Sequence, residues 1–132
     1  MITHDYTIKV YYRDIDQMGV VYYTRYLEYF EAARTELLKS IGLIVTDIEN
    51  EGFFLPVVSA HCDYKQGANF EDEITIRSTI NEKPKARLKI DYEVLKDDAV
   101  LVTGYTFHGF TDHDGNAKRP PKSFQQVMQN YF

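Results

Sequence analysis

The sequence predicts an α+β domain in which one antiparallel sheet curves around one long helix. Three observations support this fold class: one amphipathic helical stretch of about five turns, alternating segments before and after it, and no helical period between the later alternating segments. Strands that follow one another without intervening helices pair antiparallel. The helix must bury its apolar stripe, and the sheet is the only surface available to it.

Length and composition predict a single domain over residues 1–132, with 44% apolar and 27% charged residues and no repeat or linker. The lone cysteine, Cys62, excludes an internal disulfide framework. A net charge of −5 argues against a general nucleic-acid-binding protein. The first five residues lack the features of a signal peptide, and no apolar run is long enough for membrane insertion. We therefore expect a cytoplasmic protein.

The individual elements follow from the periodicity of the apolar residues. Residues 6–13 alternate and predict the first strand, and the period of about four from Tyr22 to Ile41 predicts the long helix, which Gly42 ends. A second, short helix is expected at 46–51, capped by Thr46. Four further strands and a final helix are predicted at 54–64, 72–82, 86–96, 99–111 and 122–131. So few elements leave part of the sheet uncovered, and we therefore expect a homodimer.

The segment between the first strand and the long helix combines a carboxylate, a glycine and a helix start. Asp16 lies close to the helix start, where unpaired backbone N–H groups could receive a developing oxyanion. Gly19 would let a substrate approach the backbone, and Tyr22 and Tyr23 could form a pocket wall. This combination suits hydrolysis of an activated acyl group. On spacing alone, Asp14 and Asp16 could equally serve as turn or capping residues.

Other catalytic and metal-binding patterns are weak. A calcium loop opening at Asp14 would need a bidentate glutamate at its twelfth position, where Arg25 stands. The four histidines do not have the spacing of metal ligands, so we expect no metal site. No Gly-x-Ser-x-Gly motif supports a serine triad.

Four cations alternate with other residues just before and at the start of the strand predicted at 86–96. A strand would put all four on one face, where they would suit a phosphate ligand. We expect Lys85 and Arg87 to bind substrate in this way. The alternative is an ordinary solvated face of an edge strand, which often carries lysine. The four residues are Lys83, Lys85, Arg87 and Lys89.

The segment from Tyr11 to Gly42 resembles the 4-hydroxybenzoyl-CoA thioesterase-like family of hotdog-fold acyl-CoA thioesterases. The resemblance is strongest to the Tol–Pal-associated branch. The family pattern Asp-x-Asp-x-x-Gly-Val-Val-Tyr stands here from Asp14 to Tyr22, and Phe-Glu-x-Ala-Arg stands at 30–34. Weaker similarity extends to Lys122 and covers nearly the whole chain.

This resemblance implies a hotdog fold, a dimer that often assembles to a tetramer, active sites at the subunit interface and an acyl-CoA substrate. It identifies Asp16 as the catalytic carboxylate, acting as nucleophile or as base toward water. It gives the backbone N–H of Tyr23 the role of polarising the thioester carbonyl. We expect Gly19, Val20 and Tyr22 to bind the substrate beside them. No metal or organic cofactor is implied.

Three positions depart from the family. Tyr23 stands where the Tol–Pal branch often has histidine, which puts a histidine-assisted mechanism in doubt, and Arg25 stands where asparagine is common. Gly67 replaces a usual proline, a change expected to affect only a turn. Two other functions stay open: a non-catalytic protein of this fold that binds acyl-CoA or a partner, and a hydratase or dehydratase. The presence of Asp16 argues against the first, and the lack of a nearby histidine argues against the second.

Overall fold

The computed structural model describes all 132 residues and confirms the α+β class and the hotdog architecture. Five antiparallel strands form one sheet in the order β1-β3-β4-β5-β2, and the long helix α1 packs on its inner face. In chain order the elements are β1 (Ile2–Lys9), a 3₁₀ turn (Tyr12–Asp14), α1 (Arg25–Ser40), α2 (Val45–Asn50), β2 (Val57–Tyr64), β3 (Glu73–Ile80), β4 (Leu88–Lys96), β5 (Ala99–His108) and α3 (Lys122–Gln129). None of the three helices combines the length and apolar character needed to cross a bilayer.

The first strand begins and ends four residues earlier than the alternation predicts. The regular ladder between β1 and β3 stops where Lys9 pairs with Glu73. Val10 still bonds to the backbone of Glu71 and Asp72, and the chain turns after it. The Asp14 carboxylate then accepts a hydrogen bond from the Tyr11 N–H at 2.9 Å and closes the 3₁₀ turn. As a result Tyr12 is 75% exposed instead of sharing the buried face.

The two helices after β1 also differ from the prediction at their starts. The long helix begins at Arg25, three residues later than predicted, and Gly42 follows its end with φ +87°, as expected. The short helix does not use Thr46 as its cap. Ile44 holds that position, with no capping side chain, and Thr46 lies within the first turn.

The core forms where α1 lies against the centre of the sheet. Phe30 stacks on Tyr92 of β4, with ring centroids 4.1 Å apart and planes 3° from parallel. Gly104 of β5 makes this close approach possible, because a Cβ there would lie 2.8 Å from the Phe30 ring and 2.4 Å from the His61 carbonyl oxygen. Burying a side chain such as Phe30 contributes about 1.5–3 kcal/mol. The close contact between Phe30 and Tyr92 sets the distance between α1 and the sheet.

A short chain of polar groups runs through the core beside α1. The Tyr92 hydroxyl lies 2.7 Å from the Thr106 hydroxyl, which lies 2.9 Å from His108 Nε2. His108 Nδ1 lies 3.2 Å from the Leu55 carbonyl oxygen. Because a carbonyl can only accept, Nδ1 carries the proton and Nε2 accepts from Thr106. Every ring nitrogen of this buried histidine is therefore paired in its neutral form.

The sheet has two edges of different character. β1 forms one edge, and β2, which pairs only with β5, forms the other. Seven of the eight β2 residues are exposed, among them Val57 and Val58, and Cys62 is half-buried. The outer edge of β2 is thus an unpaired row of backbone donors and acceptors.

Candidate active site

A tight turn from Asp16 to Gly19 connects the 3₁₀ turn to the segment that leads into α1. The Asp16 N–H donates to the Val20 carbonyl at 2.8 Å, and the Gly19 N–H donates to the Asp16 carbonyl at 3.1 Å. Gly19 has φ +83°, a conformation that favours glycine. The turn folds the chain back so that Ile15 pairs with Val21. Asp16 is thereby held in the segment that leads to the start of α1 at Arg25.

The two oxygens of the Asp16 carboxylate differ. Oδ1 accepts hydrogen bonds from the Met18 N–H at 2.8 Å and the Val20 N–H at 3.4 Å. Oδ2 accepts no hydrogen bond from the protein. The turn therefore orients the side chain through one oxygen and leaves the other available for chemistry.

Asp16 lines an open cavity of about 300 Å³, here called the Asp16 cavity. Four tyrosines supply most of its aromatic wall. The ring of Tyr23 lies 5.0 Å from Tyr22 and 6.2 Å from Tyr64, and Tyr26 lies 5.7 Å from Tyr64. Tyr22 and Tyr23 are 46% and 57% exposed, whereas Tyr26 is buried. A carboxylate thus stands beside a largely apolar pocket.

The backbone at the start of α1 supplies a free donor next to this cavity. The Tyr22 N–H donates to the Asp14 carbonyl at 2.8 Å, and the Arg25 N–H donates to the Tyr22 carbonyl at 2.9 Å. The Tyr23 N–H has no acceptor within the chain. Thr24 is the N-cap residue, but its side chain makes no capping hydrogen bond. Such a free N–H at a helix start is suited to binding a partial negative charge.

The segment after β2 forms the opposite wall, and sequence reasoning missed its role. The Val21 N–H donates to the Ala68 carbonyl at 2.9 Å. A Cβ on Gly67 would lie 2.7 Å from a methyl group of Val20, so Gly67 packs directly against the segment that follows the Asp16 turn. The expectation that Gly67 affects only a turn was wrong. Its departure from the family's proline was the one available signal.

Asp14 is a structural residue with no face on the Asp16 cavity. It is 5% exposed, and besides accepting from Tyr11 it lies 3.8 Å from Arg25 Nε. Arg25 also contacts Glu28 at 2.7 Å. Burial raises the pKa of Tyr29, and the nearby Asp14 charge raises it further. Of the two aspartates for which the sequence left a capping role open, Asp14 is the one whose side chain caps the 3₁₀ turn.

The predicted strand of cations is wrong for three of its four members. Lys83, Lys85 and Arg87 lie in the loop at 81–87, here called the basic loop, and only Lys89 lies within β4. The cause is Pro84, which has no N–H for a ladder and keeps the chain out of the sheet until Leu88.

The basic loop borders two shallow cavities. Lys85 lines one of about 320 Å³, together with Lys118 and Arg119. Arg87 lines the other, of about 420 Å³, together with Lys89. No carboxylate lies within 4.0 Å of the cations at Lys83, Lys85, Arg87, Lys118 and Arg119. The loop therefore concentrates unpaired positive charge in an acidic protein.

Within one chain the structure does not bring Lys85 and Arg87 together with Asp16. In the antiparallel pair of β1 and β3, Ile2 lies beside Ile80 and Lys9 beside Glu73. The basic loop follows β3 and the Asp16 turn follows β1, so they lie at opposite ends of the sheet. Eight strand residues separate these ends by roughly 25 Å.

Comparison with known proteins agrees with this fold. The model of the thioesterase-like superfamily matches residues 10–130. The acyl-CoA thioesterase YbgC of Haemophilus influenzae is 30% identical over 97 residues, which cover 73% of this chain and 71% of that protein. The 1,4-dihydroxy-2-naphthoyl-CoA hydrolase of a Synechocystis strain is 32% identical over 111 residues, covering 82% and 80%.

A solved structure extends the likeness to the whole fold. The hypothetical protein TT1821 from Thermus thermophilus superimposes with a TM-score of 0.92 at 30% identity, covering 99% of this chain and 98% of that one. The superfamily match spans nearly the entire sequence, including the Asp16 turn and the helix that follows. The chain therefore belongs to the thioesterase-like superfamily, as a hotdog-fold member of the acyl-CoA thioester hydrolases.

Proposed function

We propose that this protein hydrolyses an acyl-CoA thioester to the free acid and CoA, with Asp16 as the catalytic carboxylate and the Tyr23 N–H as the oxyanion donor. One observation carries the proposal. A carboxylate with one free oxygen and a helix-start N–H without an acceptor border the same pocket. Gly19, Val20 and Tyr22 complete the substrate-binding surface in this proposal. The family to which the chain belongs supports the reaction type.

The chemistry needs only a charge and a donor. As a base, Asp16 takes a proton from water while the water oxygen bonds to the thioester carbon, and the carbonyl oxygen gains negative charge. The Tyr23 N–H stabilises that charge, which is worth a few kcal/mol for a fixed donor. The C–S bond then breaks, and the thiolate of CoA takes up the proton. As a nucleophile, Asp16 would instead form a mixed anhydride that water hydrolyses; both routes require the ionised carboxylate. Neither route uses a metal or an organic cofactor.

We also propose that the active unit is a homodimer paired through β2. Tyr64, at one end of β2, lines the Asp16 cavity. At the other end, Val57 and Leu88 both pair with His108, so that end lies beside the basic loop. Antiparallel pairing of two β2 edges about a two-fold axis would therefore bring the basic loop of one subunit toward the Asp16 end of the other. Lys85 and Arg87 could then hold the CoA phosphates across the interface.

Light scattering tests the assembly. We expect a particle of at least twice the 15.4 kDa chain mass. A stable, active monomer would contradict the dimer and would also leave Lys85 and Arg87 without a role at the Asp16 cavity. The lone, unbonded Cys62 fits a reducing compartment, and we propose a cytoplasmic location.

A thiol-release assay over a panel of acyl-CoAs tests the reaction, with Asp16→Asn beside the parent. Asparagine keeps an oxygen for the Met18 and Val20 N–H groups, so the turn should survive. We expect kcat to fall by about 10²–10⁴-fold, with an unchanged melting curve. An unchanged kcat would show that Asp16 is not catalytic. No turnover by the parent on any thioester would refute the proposed activity itself.

A further inference from the structure

The Asp16 turn is tied through one peptide group to a segment that lies far from it in sequence. The Asp16 N–H donates to the Val20 carbonyl at 2.8 Å. That carbonyl shares its peptide plane with the Val21 N–H, which donates to the Ala68 carbonyl at 2.9 Å. A rotation of this peptide group would break both hydrogen bonds at once. The Ala68 carbonyl therefore helps to fix the backbone of Asp16.

A second peptide group continues this connection to Asp72. The Ala68 carbonyl shares its peptide plane with the Asn69 N–H, which donates to Asp72 Oδ2 at 2.8 Å. Asp72 Oδ1 accepts a hydrogen bond from Lys96 Nζ at 2.9 Å, so both carboxylate oxygens are engaged. The Asp72 carboxylate is thus joined to the Asp16 N–H by a continuous path of hydrogen bonds and planar peptide groups.

The turn that carries Asn69 depends on Asp72 for its shape. The Asp72 N–H donates to the Asn69 carbonyl at 3.1 Å, and Glu71 between them has φ +71°, a conformation that is strained for a residue with a Cβ. Such a conformation persists only where the surrounding contacts hold it. Burial raises the pKa of Asp72, but the hydrogen bond from Asn69 and the ammonium group of Lys96 lower it overall. The carboxylate is therefore ionised at neutral pH and accepts on both oxygens.

The position of Asp16 matters because its free oxygen must meet water or the thioester carbon. A misplacement of about 1 Å in such a site can cost roughly 100-fold in rate. The Met18 and Val20 N–H groups orient the carboxylate within the turn. The bond between Val21 and Ala68 instead fixes the turn against the rest of the protein.

We propose that Asp72 is a positioning residue that holds the Asp16 turn in place through the Ala68–Asn69 and Val20–Val21 peptide groups. This inference rests on the proposed thioesterase function. Asp72 immediately precedes β3 and Lys96 ends β4, so the sheet itself anchors the turn. Asp72 forms and breaks no bond in the reaction and acts only through the backbone of Asp16.

Steady-state kinetics of Asp72→Ala test this role. We expect kcat to fall about 10–100-fold, with KM changed by less than about twofold, because Asp16 acts in the transition state. Asp72→Asn should recover part of kcat, since its amide oxygen can still accept from the Asn69 N–H.

Asp112→Ala is the matched control. Asp112 also holds a turn by accepting from two backbone N–H groups, those of Asp114 and Asn116. It follows β5, however, at the end of the sheet away from Asp16. The control should lower the unfolding free energy without lowering kcat.

Amide hydrogen exchange gives a second readout that does not depend on turnover. Asp72→Ala should speed exchange of the Asn69, Val21 and Asp16 N–H groups together, while the N–H groups at the centre of β4 stay protected. Asp112→Ala should leave all three unchanged. If Asp72→Ala does not fold, the parent provides the test, because three N–H groups that belong to one unit should open with the same free energy.

Four results would overturn the inference while leaving the proposed function intact. They are a folded Asp72→Ala with parental kcat or with a rise in KM alone, no recovery in Asp72→Asn, an equal fall of kcat in Asp112→Ala, and unchanged exchange at Asp16. Unrelated opening free energies in the parent would overturn it as well. A parent that hydrolyses no thioester would overturn both.

Discussion

Acidification should destabilise this protein through one buried side chain, His108. It is 2% exposed, and its two ring nitrogens are paired with Thr106 and the Leu55 carbonyl. Burial, together with the Arg34 charge, lowers the pKa of His108 to about 4, while the hydrogen bond to the Leu55 carbonyl opposes the shift. In the unfolded chain the same imidazole has its ordinary pKa near 6.5. The unfolded state therefore binds a proton at a higher pH than the folded state does.

The sign and size of the effect follow from this difference. A depressed histidine pKa contributes stability that is fully present above about pH 6.5 and is lost as the pH falls toward 4. A difference of about 2.5 pKa units corresponds to about 3 kcal/mol of unfolding free energy. The carboxylates with lowered pKa values, Asp5, Asp72 and Asp112, lose their contributions mainly near and below their ordinary pKa of 3.8. The window from pH 4.5 to 6.5 is thus dominated by the histidine.

Urea unfolding at half-unit steps from pH 4.5 to 8 measures this dependence. We expect the parent to lose stability steeply below pH 6.5, and His108→Gln to be less stable at pH 8 but much flatter with pH. His113→Gln, the same change at an exposed histidine, should keep the parental slope. An equally steep loss in His108→Gln would refute the reasoning, because the proton uptake would then belong to another group.

Two further predictions concern the residues around the candidate site. Asp14→Asn should lower the unfolding free energy by about 1–3 kcal/mol, because Asp14 is buried and accepts a hydrogen bond from Tyr11. The folded variant should keep far more activity than Asp16→Asn, and urea titration and thiol release measure the two effects separately. An inactive but fully stable Asp14→Asn would reverse the roles given to the two aspartates. Lys85→Ala or Arg87→Ala should raise KM for acyl-CoA with little change in kcat, less so at high salt and not at all for an acyl-pantetheine. Equal KM increases for both substrates would show that the basic loop holds no phosphate.

The fold class was predictable because its signals are local. The alternation of Ile74, Ile76 and Ile80 reports a half-buried strand directly, and the positive φ of Gly42 follows from its place after a helical stripe. Strand ends were less predictable, because they depend on the partner strand. β1 stops at Lys9 because the regular register with β3 ends there, and Val10 bonds to Glu71 and Asp72 instead. The basic loop was misread for a related reason: alternation continued through Pro84, where no ladder could form.

In the candidate site, too, the residues close together in sequence were predictable and the distant ones were not. Asp16, Gly19 and Tyr23 lie within eight residues, so one motif could identify them together. Tyr64 and Gly67 reach the cavity from more than 40 residues away, and nothing in their own spacing indicates that they meet the helix start. That contact depends on the position of β2 at the edge of the sheet, which the order of strands along the chain does not reveal.

The two sheet edges have different consequences for colloidal behaviour. β1 places Asp5 and Lys9 along its edge, and charges of this kind discourage pairing with foreign strands. β2 reads Val-Val-Ser-Ala-His-Cys-Asp-Tyr, with no lysine, arginine or proline to block such pairing. A chain whose β2 edge is uncovered thus presents a template for adding strands. Mutations that weaken the proposed dimer pairing through this edge would accordingly show themselves first as turbidity in concentrated solutions, before any secondary structure is lost.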